Sequence, residues 1–275
     1  MNSVFKGKTV IITGASAGVG AACARAFANH KANLVLCARG QAGLDTIAEE
    51  LSVQCSVLTV AMDVSSTDQC LALLTKAEAE FGRVDVLINN AGMHSRGDIS
   101  KVKPADVAAM VDINLRAPLV LSCAALPFIK KSDGGAVVMV GSLAGMAPLQ
   151  GAATYSATKS GLRAFAYALA DELQDTDINI GVVSPGPIDT GFIMSEIDNV
   201  EDIVFSQPMS SAEEVADAVL SIARGEKTEI AMPAASGRLV TLSYLFPALR
   251  RLLRPKLYAK GRKNKDKYRN RSVTD

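Results

Sequence analysis

The sequence predicts an α/β protein built on one parallel sheet with helices on both faces. Short apolar runs rich in β-branched residues alternate with stretches of helical periodicity, which is typical of parallel sheets. A glycine-rich turn joins the first run to the first helix, and loops containing glycine, proline or asparagine follow later runs. Since such units wind right-handedly onto both faces, we expect a doubly wound, Rossmann-type sheet in a single domain with a C-terminal helical extension.

Six strands and five helices are expected in the first two thirds of the chain. The strands are predicted over residues 8–13, 33–38, 56–61, 84–88, 136–140 and 178–184. The helices are predicted over residues 21–30, 44–51, 67–81, 104–130 and 153–174. The fourth helix should be irregular near Pro118 and Pro127. Because the carboxyl ends of parallel strands lie at one edge of a sheet, the unusual loops should gather there.

The composition is that of a soluble globular protein, with 49% hydrophobic and 21% charged residues in a chain of 275. A chain of this length can bury one large core. The five cysteines have neither CxxC nor other metal-ligand spacing, so we expect reduced cysteines in a cytoplasmic protein and no metal site. No run reaches the roughly 18 uninterrupted apolar residues that a membrane-spanning helix needs.

Charge is unevenly distributed along the chain. Eleven of the 29 basic residues lie from Arg250 onward, against two of the 28 acidic residues. We therefore expect a main domain over residues 1–235, an amphipathic helical extension over 236–259, and a disordered basic tail over 260–275. Leucines interleaved with arginines at helical spacing are compatible with three roles: peripheral contact with an anionic membrane, cover for the active site, or a subunit interface. Nucleic-acid binding is not expected.

The turn after the first strand has the glycines of a phosphate-binding loop. Glycine permits a sharp turn and lets a pyrophosphate approach the free N–H groups at a helix N-terminus. The spacing is GxxxGxG, and a plain turn is the alternative interpretation. The residues predicted to contact a dinucleotide here are Gly14, Ser16, Ala17, Gly18, Val19 and Gly20.

The end of the second strand indicates which dinucleotide is bound. An acidic residue at this place commonly holds a ribose 2′-hydroxyl, but the sequence has Ala38 followed by Arg39. A guanidinium suits a 2′-phosphate, so we predict NADP(H) as the cofactor, with a solvated loop cation as the alternative. Asp63 and Val64 end the third strand and are predicted to neighbour the adenine ring.

The stretch from Ser142 to Lys159 contains the predicted chemistry. Tyr155 and Lys159 are four residues apart, so they share one face of a helix. An ammonium beside a phenol favours the phenolate, which predicts a lowered tyrosine pKa and a proton-transfer role. Ser142, after the fifth strand, could hydrogen-bond the same substrate oxygen. An ordinary surface pair is the alternative for Tyr155 and Lys159.

Further candidates follow other strands or interrupt apolar helices. Asn114 lies in an apolar helical stretch, where its amide needs partners, and is predicted either to be satisfied in the core or to mark a kink and a water site. The loops after the fourth and sixth strands should border a cofactor. Their candidate contact residues are Asn90, Ala91, Gly92, Pro185, Gly186, Ile188 and Thr190.

Together these motifs resemble the short-chain dehydrogenase/reductase family over about residues 6–232. The motifs occur in family order: residues 13–20, residues 89–92, Asn114, Ser142, Tyr155-x-x-x-Lys159 and Pro185-Gly186. The resemblance implies an NADP(H)-preferring member. It also implies a homodimer or homotetramer assembled through the helices at residues 104–130 and 153–174.

The resemblance implies specific roles for the candidate residues. Tyr155 would be the general acid/base, and Lys159 would lower its pKa and bind the nicotinamide ribose. Ser142 would polarise the substrate oxygen, and Asn114 would hold a water of a proton relay. In the loop that follows the sixth strand, Ile188 and Thr190 would border the nicotinamide carboxamide.

The resulting hypothesis is an NADP(H)-dependent oxidoreductase that interconverts a carbonyl and a secondary alcohol. Residues 191–208 contain many apolar side chains and should cover the substrate, so we expect an apolar lipid-, acyl- or steroid-like small molecule. The alternatives are an epimerase or dehydratase on the same fold, and a non-catalytic NADP(H)-binding sensor or scaffold. We expect a cytoplasmic protein, with membrane association as a variant of that hypothesis.

Overall fold

The computed structural model describes residues 4–271 and has one seven-stranded parallel sheet. The strand order is β3-β2-β1-β4-β5-β6-β7. The strands are β1 (Thr9–Thr13), β2 (Asn33–Ala38), β3 (Val57–Ala61), β4 (Val86–Asn89), β5 (Gly135–Val140), β6 (Ile178–Pro185) and β7 (Glu229–Met232). The predicted doubly wound fold is confirmed, and the six predicted strands lie within one or two residues of the observed ones. β7 is an addition that the sequence pattern did not reveal.

Helices cover both faces of the sheet. They are α1 (Gly18–Asn29), α2 (Gln41–Leu51), α3 (Thr67–Phe81), α4 (Pro104–Val111), α5 (Ala117–Lys131), α6 (Ala153–Glu172), α7 (Gly191–Met194), α8 (Ala212–Ala223), α9 (Ala234–Leu245) and α10 (Pro247–Arg271). One core packs α1, α2 and α8 against the sheet around the fully buried Phe27. The other packs α3, α5 and α6 against the opposite face.

The topology sets the position of the ligand-binding cleft. β1 pairs with β2 on one side and with β4 on the other, so the strand order reverses at β1. In open α/β sheets, the crevice outside the carboxyl ends of the strands at such a reversal is where ligands bind. The glycine turn after β1 and the asparagine loop after β4 therefore face each other across this crevice.

The helical stretch from Pro104 to Lys131 is interrupted in its middle. We expected a continuous helix with irregularities at the prolines, but residues Asp112–Arg116 form a π-helical segment between α4 and α5. Pro118 has no N–H to continue the regular bonding pattern and crowds the carbonyl four residues earlier, which accounts for the place of the interruption. By length and composition alone, the described residues include one helix that could cross a membrane, Pro104–Lys131. In the fold, this helix packs on the sheet through Leu121, Ala125 and Ile129.

The C-terminal helix differs from the expectation. We expected disorder from residue 260, but α10 continues to Arg271, and residues 272–275 lie outside the described part. Gly261 packs so closely on a short 3₁₀ helix (Asp202–Ser206) that an added Cβ would lie 1.8 Å from the carbonyl oxygen of Asp202. Asn264 donates to the carbonyl of Phe205 at 2.9 Å. These contacts order the basic segment because they replace solvent with a packed surface.

Candidate active site

The glycine turn after β1 has a backbone that few other residues could adopt. Gly14 and Gly18 have φ angles of 66° and 53°, in the left-handed region that favours glycine. A Cβ on Gly20 would lie 2.1 Å from the carbonyl oxygen of Gly14, so only glycine allows the helix to approach the turn this closely. The predicted role of these glycines in shaping the turn therefore has a direct steric reason.

Asn90 and Thr13 hold this turn against the end of β4. The Asn90 side chain donates to the carbonyls of Thr13 at 2.8 Å and Gly14 at 3.1 Å. In return, the Thr13 hydroxyl accepts from the backbone N–H groups of Asn90 and Ala91, both at 2.9 Å. Asn90 was predicted to contact the cofactor, and the structure shows that its amide first fixes the loop that would do so.

The N-terminus of α1 fits a dinucleotide pyrophosphate. Its first residues follow Ala17, which offers no side-chain cap, and the first turn contains no acidic residue. The free N–H groups and the positive end of the helix dipole are thus available to an anion. Ala17, Gly18 and Val19 line the cleft, with Gly14 at its base.

Five predicted cofactor residues lie away from the cavity lining. Gly20 shapes the turn from within, and Ser16 packs on α2, where a Cβ on Gly43 would lie 2.9 Å from its Cβ. Arg39 is exposed at the end of β2, and Asp63 and Val64 follow β3. The N–H of Ser65 lowers the pKa of Asp63, and the nearby charge of Arg39 adds to this effect. The charge of Arg39 thus acts on Asp63 beyond the carboxyl ends of β2 and β3, outside the cavity lining.

Ser142, Tyr155 and Lys159 meet at the carboxyl end of β5, as predicted. A short 3₁₀ turn (Leu143–Gly145) begins at Ser142 and packs on α6. Its Gly145 is so close to α6 that a Cβ would lie 2.6 Å from the carbonyl oxygen of Lys159. Lys159 donates to the carbonyl of Val140, the last residue of β5, at 2.8 Å. Packing of this turn therefore brings the serine to the tyrosine and lysine.

The electrostatics of Tyr155 correct one expectation. We expected Lys159 to lower the tyrosine pKa, but burial raises the pKa of Tyr155, and a hydrogen bond with Ser142 and the charge of Arg96 act against that rise. Burial also lowers the pKa of Lys159 to about 8. The Lys159 ammonium lies 5.8 Å from the centre of the Tyr155 ring and points to the Val140 carbonyl. In this structure, Arg96 is the cation that favours the phenolate.

Asn114 lies in the π-helical segment, and both polar atoms of its amide are hydrogen-bonded. Its side-chain oxygen accepts from the N–H of Met93 at 2.8 Å, and its nitrogen donates to the Met93 carbonyl at 2.8 Å and to the Thr158 hydroxyl at 3.4 Å. Of the two alternatives that the sequence left open, these bonds favour the satisfied core residue. Asn114 ties the loop after β4 to α6, close to Lys159.

His94 and Arg96 extend the site beyond the residues that the sequence singled out. The His94 ring stacks on Tyr155 with centroids 4.2 Å apart and an interplanar angle of 13°. Arg96 lies 2.9 Å from Nδ1 of His94 and pairs with Glu196 at 3.2 Å. Because arginine only donates, Nδ1 must accept, and the ring proton lies on Nε2. Burial, followed by the charges of Arg96 and Lys159, lowers the pKa of His94 to about 3.

No signal in the sequence marked Arg96, because a single arginine in a loop has no characteristic spacing. For His94, its place two residues after Gly92 indicates a position on the substrate side, which stays a prediction. In the structure, His94 lines the cavity and its ring stacks on Tyr155. Among the described residues, Nε2 of His94 and Oε1 of Gln207 are buried without a hydrogen-bond partner, so both are available to a ligand.

The opposite side of the cleft follows β6. Pro185, Gly186, Ile188 and Thr190, which were predicted to border a cofactor, all line the cavity. A Cβ on Gly18 would lie 3.6 Å from Cγ2 of Thr190, so this loop reaches across to the glycine turn. Ile188 forms a parallel β-bridge with Ser210. This bridge fixes the start of residues 191–208, the segment that was predicted to cover the substrate.

These features line one continuous cavity of about 1450 Å³. It extends from the glycine turn past Tyr155 to the inner faces of α9 and α10. Ser142 and Tyr155 are among its polar residues, and Leu143, Leu149 and Ile193 are among its apolar ones. Such a combination is typical of a small-molecule site.

Comparisons with known proteins agree with this geometry. The family model for short chain dehydrogenase matches residues 8–201. The ketoacyl reductase HetN of Nostoc sp. is 34% identical over 233 residues, covering 83% of this chain and 79% of that protein. The 3-oxoacyl-acyl-carrier-protein reductase FabG of Escherichia coli is 31% identical over 230 residues, covering 82% and 93%. The NADP-dependent 3-hydroxy acid dehydrogenase of Schizosaccharomyces pombe is 34% identical over 241 residues, covering 83% and 92%.

A solved structure shares the fold. The short chain dehydrogenase of Mycobacterium paratuberculosis bound to NAD superposes with a TM-score of 0.77 at 22% identity. The match covers 85% of this chain and 99% of that one. The extent of the family match and the identity to curated relatives lead to one conclusion: this chain belongs to the short-chain dehydrogenase family, the nucleotide-binding oxidoreductases of this Rossmann-type fold.

Proposed function

We propose that the protein is an NADP(H)-dependent oxidoreductase that interconverts a carbonyl and a secondary alcohol on an apolar substrate. The observation that carries the proposal is the meeting of Ser142 and Tyr155 in a large, mainly apolar cavity beside an uncapped helix N-terminus. Retention of both Tyr155 and Lys159 favours an enzyme over a sensor or scaffold. Among the described residues, His94 is the further titratable group stacked on Tyr155, and its lowered pKa does not favour the second acid/base that an epimerase or dehydratase would need.

The chemistry follows from where negative charge develops. When bound, the reduced nicotinamide supplies a hydride to the carbonyl carbon. Ser142 and Tyr155 both offer O–H donors, and in our proposal they bind the oxygen on which charge develops. Tyr155 then transfers its proton to that oxygen, which completes the alcohol. In the oxidative direction, the tyrosinate accepts the proton of the alcohol.

Two neighbours support the proton transfer. Lys159 is proposed to bind the nicotinamide ribose, and its ammonium lies close to Gly92, where an added Cβ would be 3.8 Å from Nζ. Asn114 is proposed to take part in the proton relay, but with its amide bonded to Met93 and Thr158 it acts first as a positioning residue for the loop beside Lys159.

The cofactor preference rests on the residue after β2. Ala38 leaves no carboxylate at the end of this strand, and Arg39 is exposed there beside Asp63. A guanidinium in this place favours the extra phosphate of NADP(H). The name of the Schizosaccharomyces pombe relative includes NADP, whereas the Mycobacterium paratuberculosis structure holds NAD, so family membership alone leaves the choice open.

The substrate, assembly and location complete the proposal. Two relatives are named as ketoacyl or 3-oxoacyl reductases, which supports an acyl-type substrate within the lipid-, acyl- or steroid-like class.

We propose that the two helical stretches at residues 104–130 and 153–174 form a homodimer or homotetramer interface. They carry the exposed apolar residues Val111 and Tyr167. The five free cysteines favour the reducing cytoplasm. The basic helix lines the cavity, so we do not retain membrane contact as its role.

The decisive experiment replaces the proposed acid. Tyr155→Phe removes the proton donor and keeps the ring, so reduction of a carbonyl panel, read by NADPH absorbance, should fall by about 10³-fold or more, near the upper range for general acid catalysis. NADPH affinity should be nearly unchanged. Tyr167→Phe, on the same helix outside the cavity, is the matched control. Retained turnover in Tyr155→Phe would show that another group supplies the proton.

A second experiment tests the cofactor. Arg39→Asp should weaken NADPH binding by about tenfold or more, the effect of losing one charge-assisted hydrogen bond to a phosphate. NADH binding should be unchanged or improved, because the new carboxylate can accept from a ribose hydroxyl. Titration of cofactor fluorescence measures both constants. Unchanged NADPH affinity would refute the 2′-phosphate role of Arg39.

A further inference from the structure

The C-terminal wall of the cavity carries arginines that have no acidic partner. Arg250, Arg251 and Arg254 line the cavity together with Leu253 and Leu257. Within residues 4–271, neither Arg250 nor Arg251 forms an ion pair or a side-chain hydrogen bond. Arg254 contacts the ring of Tyr258, whose centre lies 5.4 Å from the guanidinium carbon, and hydrogen-bonds the Tyr258 hydroxyl. That hydroxyl donates to Glu201 at 3.1 Å, so Arg254 reaches a carboxylate through Tyr258 and has no direct ion pair.

The second half of the same helix shows the opposite arrangement. Arg262 pairs with Asp202 at 3.1 Å, and Lys265 pairs with the same carboxylate at 3.4 Å. Arg269 also pairs with Asp198. Cations that dock α10 on the body are therefore neutralised by acidic side chains, whereas those that line the cavity are not.

The spacing of the cavity-lining residues shows that they form one face of the helix. The positions recur every three or four residues, which is the periodicity of one helix face. They are Pro247, Arg250, Arg251, Leu253, Arg254, Leu257, Tyr258 and Lys260. From Arg250 to Arg254 the helix rises about 6 Å. Leu252, 74% exposed, is absent from this lining, so it points elsewhere.

A wall of this kind suits one end of an amphiphilic molecule. Guanidinium groups bind phosphate and carboxylate oxygens in a fork geometry and are weakly hydrated enough to do so in partly buried sites. The leucines of the same face provide contact for an alkyl chain. Ser142 and Tyr155 belong to the same cavity, so one molecule can reach both regions.

We propose that Arg250 and Arg254 form a subsite for an anionic group, a carboxylate or a phosphate, at the end of the apolar substrate remote from its carbonyl. This inference rests on the proposed carbonyl reductase function and specifies the substrate class of the same site. The enzyme thus selects carbonyl compounds with an apolar middle and a negatively charged end over neutral compounds of the same length.

The test compares matched substrates and variants. The probes are a long-chain oxo-fatty acid, the phosphate ester of the matching oxo-alcohol, and the neutral methyl ester of the oxo-fatty acid. The wild-type protein should show a lower KM for at least one anion than for the ester. In Arg250→Gln/Arg254→Gln, the ratio of KM for ester to KM for anion should fall about tenfold, as expected for one lost charge-assisted hydrogen bond. The anion that loses more identifies the natural group.

Matched controls separate the subsite from general effects of charge and folding. Lys256→Gln removes a charge from an exposed position of the same helix outside the cavity lining and should leave the ratio unchanged. Arg250→Lys/Arg254→Lys keeps the charge and should recover part of the preference. Circular dichroism of every variant confirms that α10 is retained.

Two outcomes would overturn the proposal. The first is equal KM for the ester and both anions in the wild-type protein. The second is a preference for anions that is as strong in the double variant as in the wild type. If no probe is reduced at all, the proposed function fails instead. Calorimetric titration of the same anions into wild type and double variant then still tests the subsite, and absence of a difference in affinity rejects it.

Discussion

The two walls of the cavity are built in different ways. On the cofactor side, the shape is set by backbone contacts so close that Gly20 cannot carry a side chain, and by the hydrogen bonds that Asn90 makes to the glycine turn. On the C-terminal side, the wall consists of long side chains on α10, and the arginines among them are partly exposed. The difference teaches that a substitution in the first wall meets backbone and costs stability, whereas side chains of the second wall can be exchanged without moving the backbone.

The largest effect is expected from a change at the rigid wall. Gly20→Val places carbon atoms where the Gly14 carbonyl lies, 2.1 Å from the ideal Cβ position. Overpacking of this kind costs about 1–3 kcal/mol of folding stability, occasionally more. Because the displaced turn is the one that we propose to hold the pyrophosphate, we also expect the cofactor Kd to weaken by about 100-fold. Titration of NADPH fluorescence measures the constant, and thermal unfolding measures the accompanying loss of stability.

Gly40→Ala is the control for this prediction. Nothing lies within 4 Å of a Cβ at Gly40, and its φ is −93°, so alanine is tolerated there. If both variants bound NADPH equally well, the close approach of α1 to the turn would not determine the shape of the cofactor site.

The next prediction concerns the contact of α10 with the short 3₁₀ helix at Asp202–Ser206. Gly261→Val would place a Cβ 1.8 Å from the Asp202 carbonyl, so the helix should separate from residues 202–206. We expect KM for the substrate to rise about tenfold with cofactor Kd nearly unchanged, because only the side-chain wall moves. Ala259→Ser, at an exposed position, is the control. An equal loss of cofactor affinity would show that the two walls are coupled.

A smaller effect is expected at Arg96, in the loop after β4. Its charge acts against the rise of the Tyr155 pKa that burial causes. Arg96→Gln should therefore move the pKa limb of the oxidative kcat/KM profile to higher pH. The exposed Lys101→Gln provides the comparison. A profile that does not move would assign the proton transfer to a group that Arg96 does not influence.

The smallest effect concerns His94, whose ring we expect not to titrate in the range where a histidine ordinarily does. His94 has its pKa lowered to about 3 from an ordinary value of 6.5, so it stays neutral between pH 8 and 5. The unfolded chain binds a proton at this position below pH 6.5, so the stability linked to the group is lost as pH falls from 6.5 toward 3. NMR of the ring protons, assigned with His94→Asn, measures the titration. A midpoint near pH 6 would show that the ring is solvated.

The sequence predicted the parts of the molecule whose patterns are local. The strands of the sheet are continuous apolar runs, and Tyr155 and Lys159 owe their shared face to helix periodicity, so both could be found without a structure. β7 was missed because its four residues lie between a helix and Pro233 without a long apolar run. Arg96 was missed because its partners, His94 apart, come from distant segments, including Glu196 across 100 positions.

The helix α10 was misjudged for a related reason. Its mean hydropathy and many cations indicate a solvated segment, but ion pairs with Asp198 and Asp202 join the close contacts of Gly261 and Asn264 in packing it on the body. The acidic partners lie some sixty residues earlier in the chain, so the local composition of the basic stretch does not reveal that its charges are neutralised. Long-range charge pairing is thus a general reason why a basic stretch can be ordered against expectation.

Lys265 gives this arrangement a mechanical consequence. Its buried ammonium donates to the carbonyls of Val200 at 2.6 Å and Asp198 at 3.3 Å. These hydrogen bonds tie α10 to the loop at residues 198–200. An outward movement of that loop must either break these hydrogen bonds or move α10 as well. Because Arg250 and Arg254 are on the same helix, a joint movement would open the cavity on two sides at once. The loop and α10 would then move as one unit, held together by hydrogen bonds that lie away from the reacting atoms.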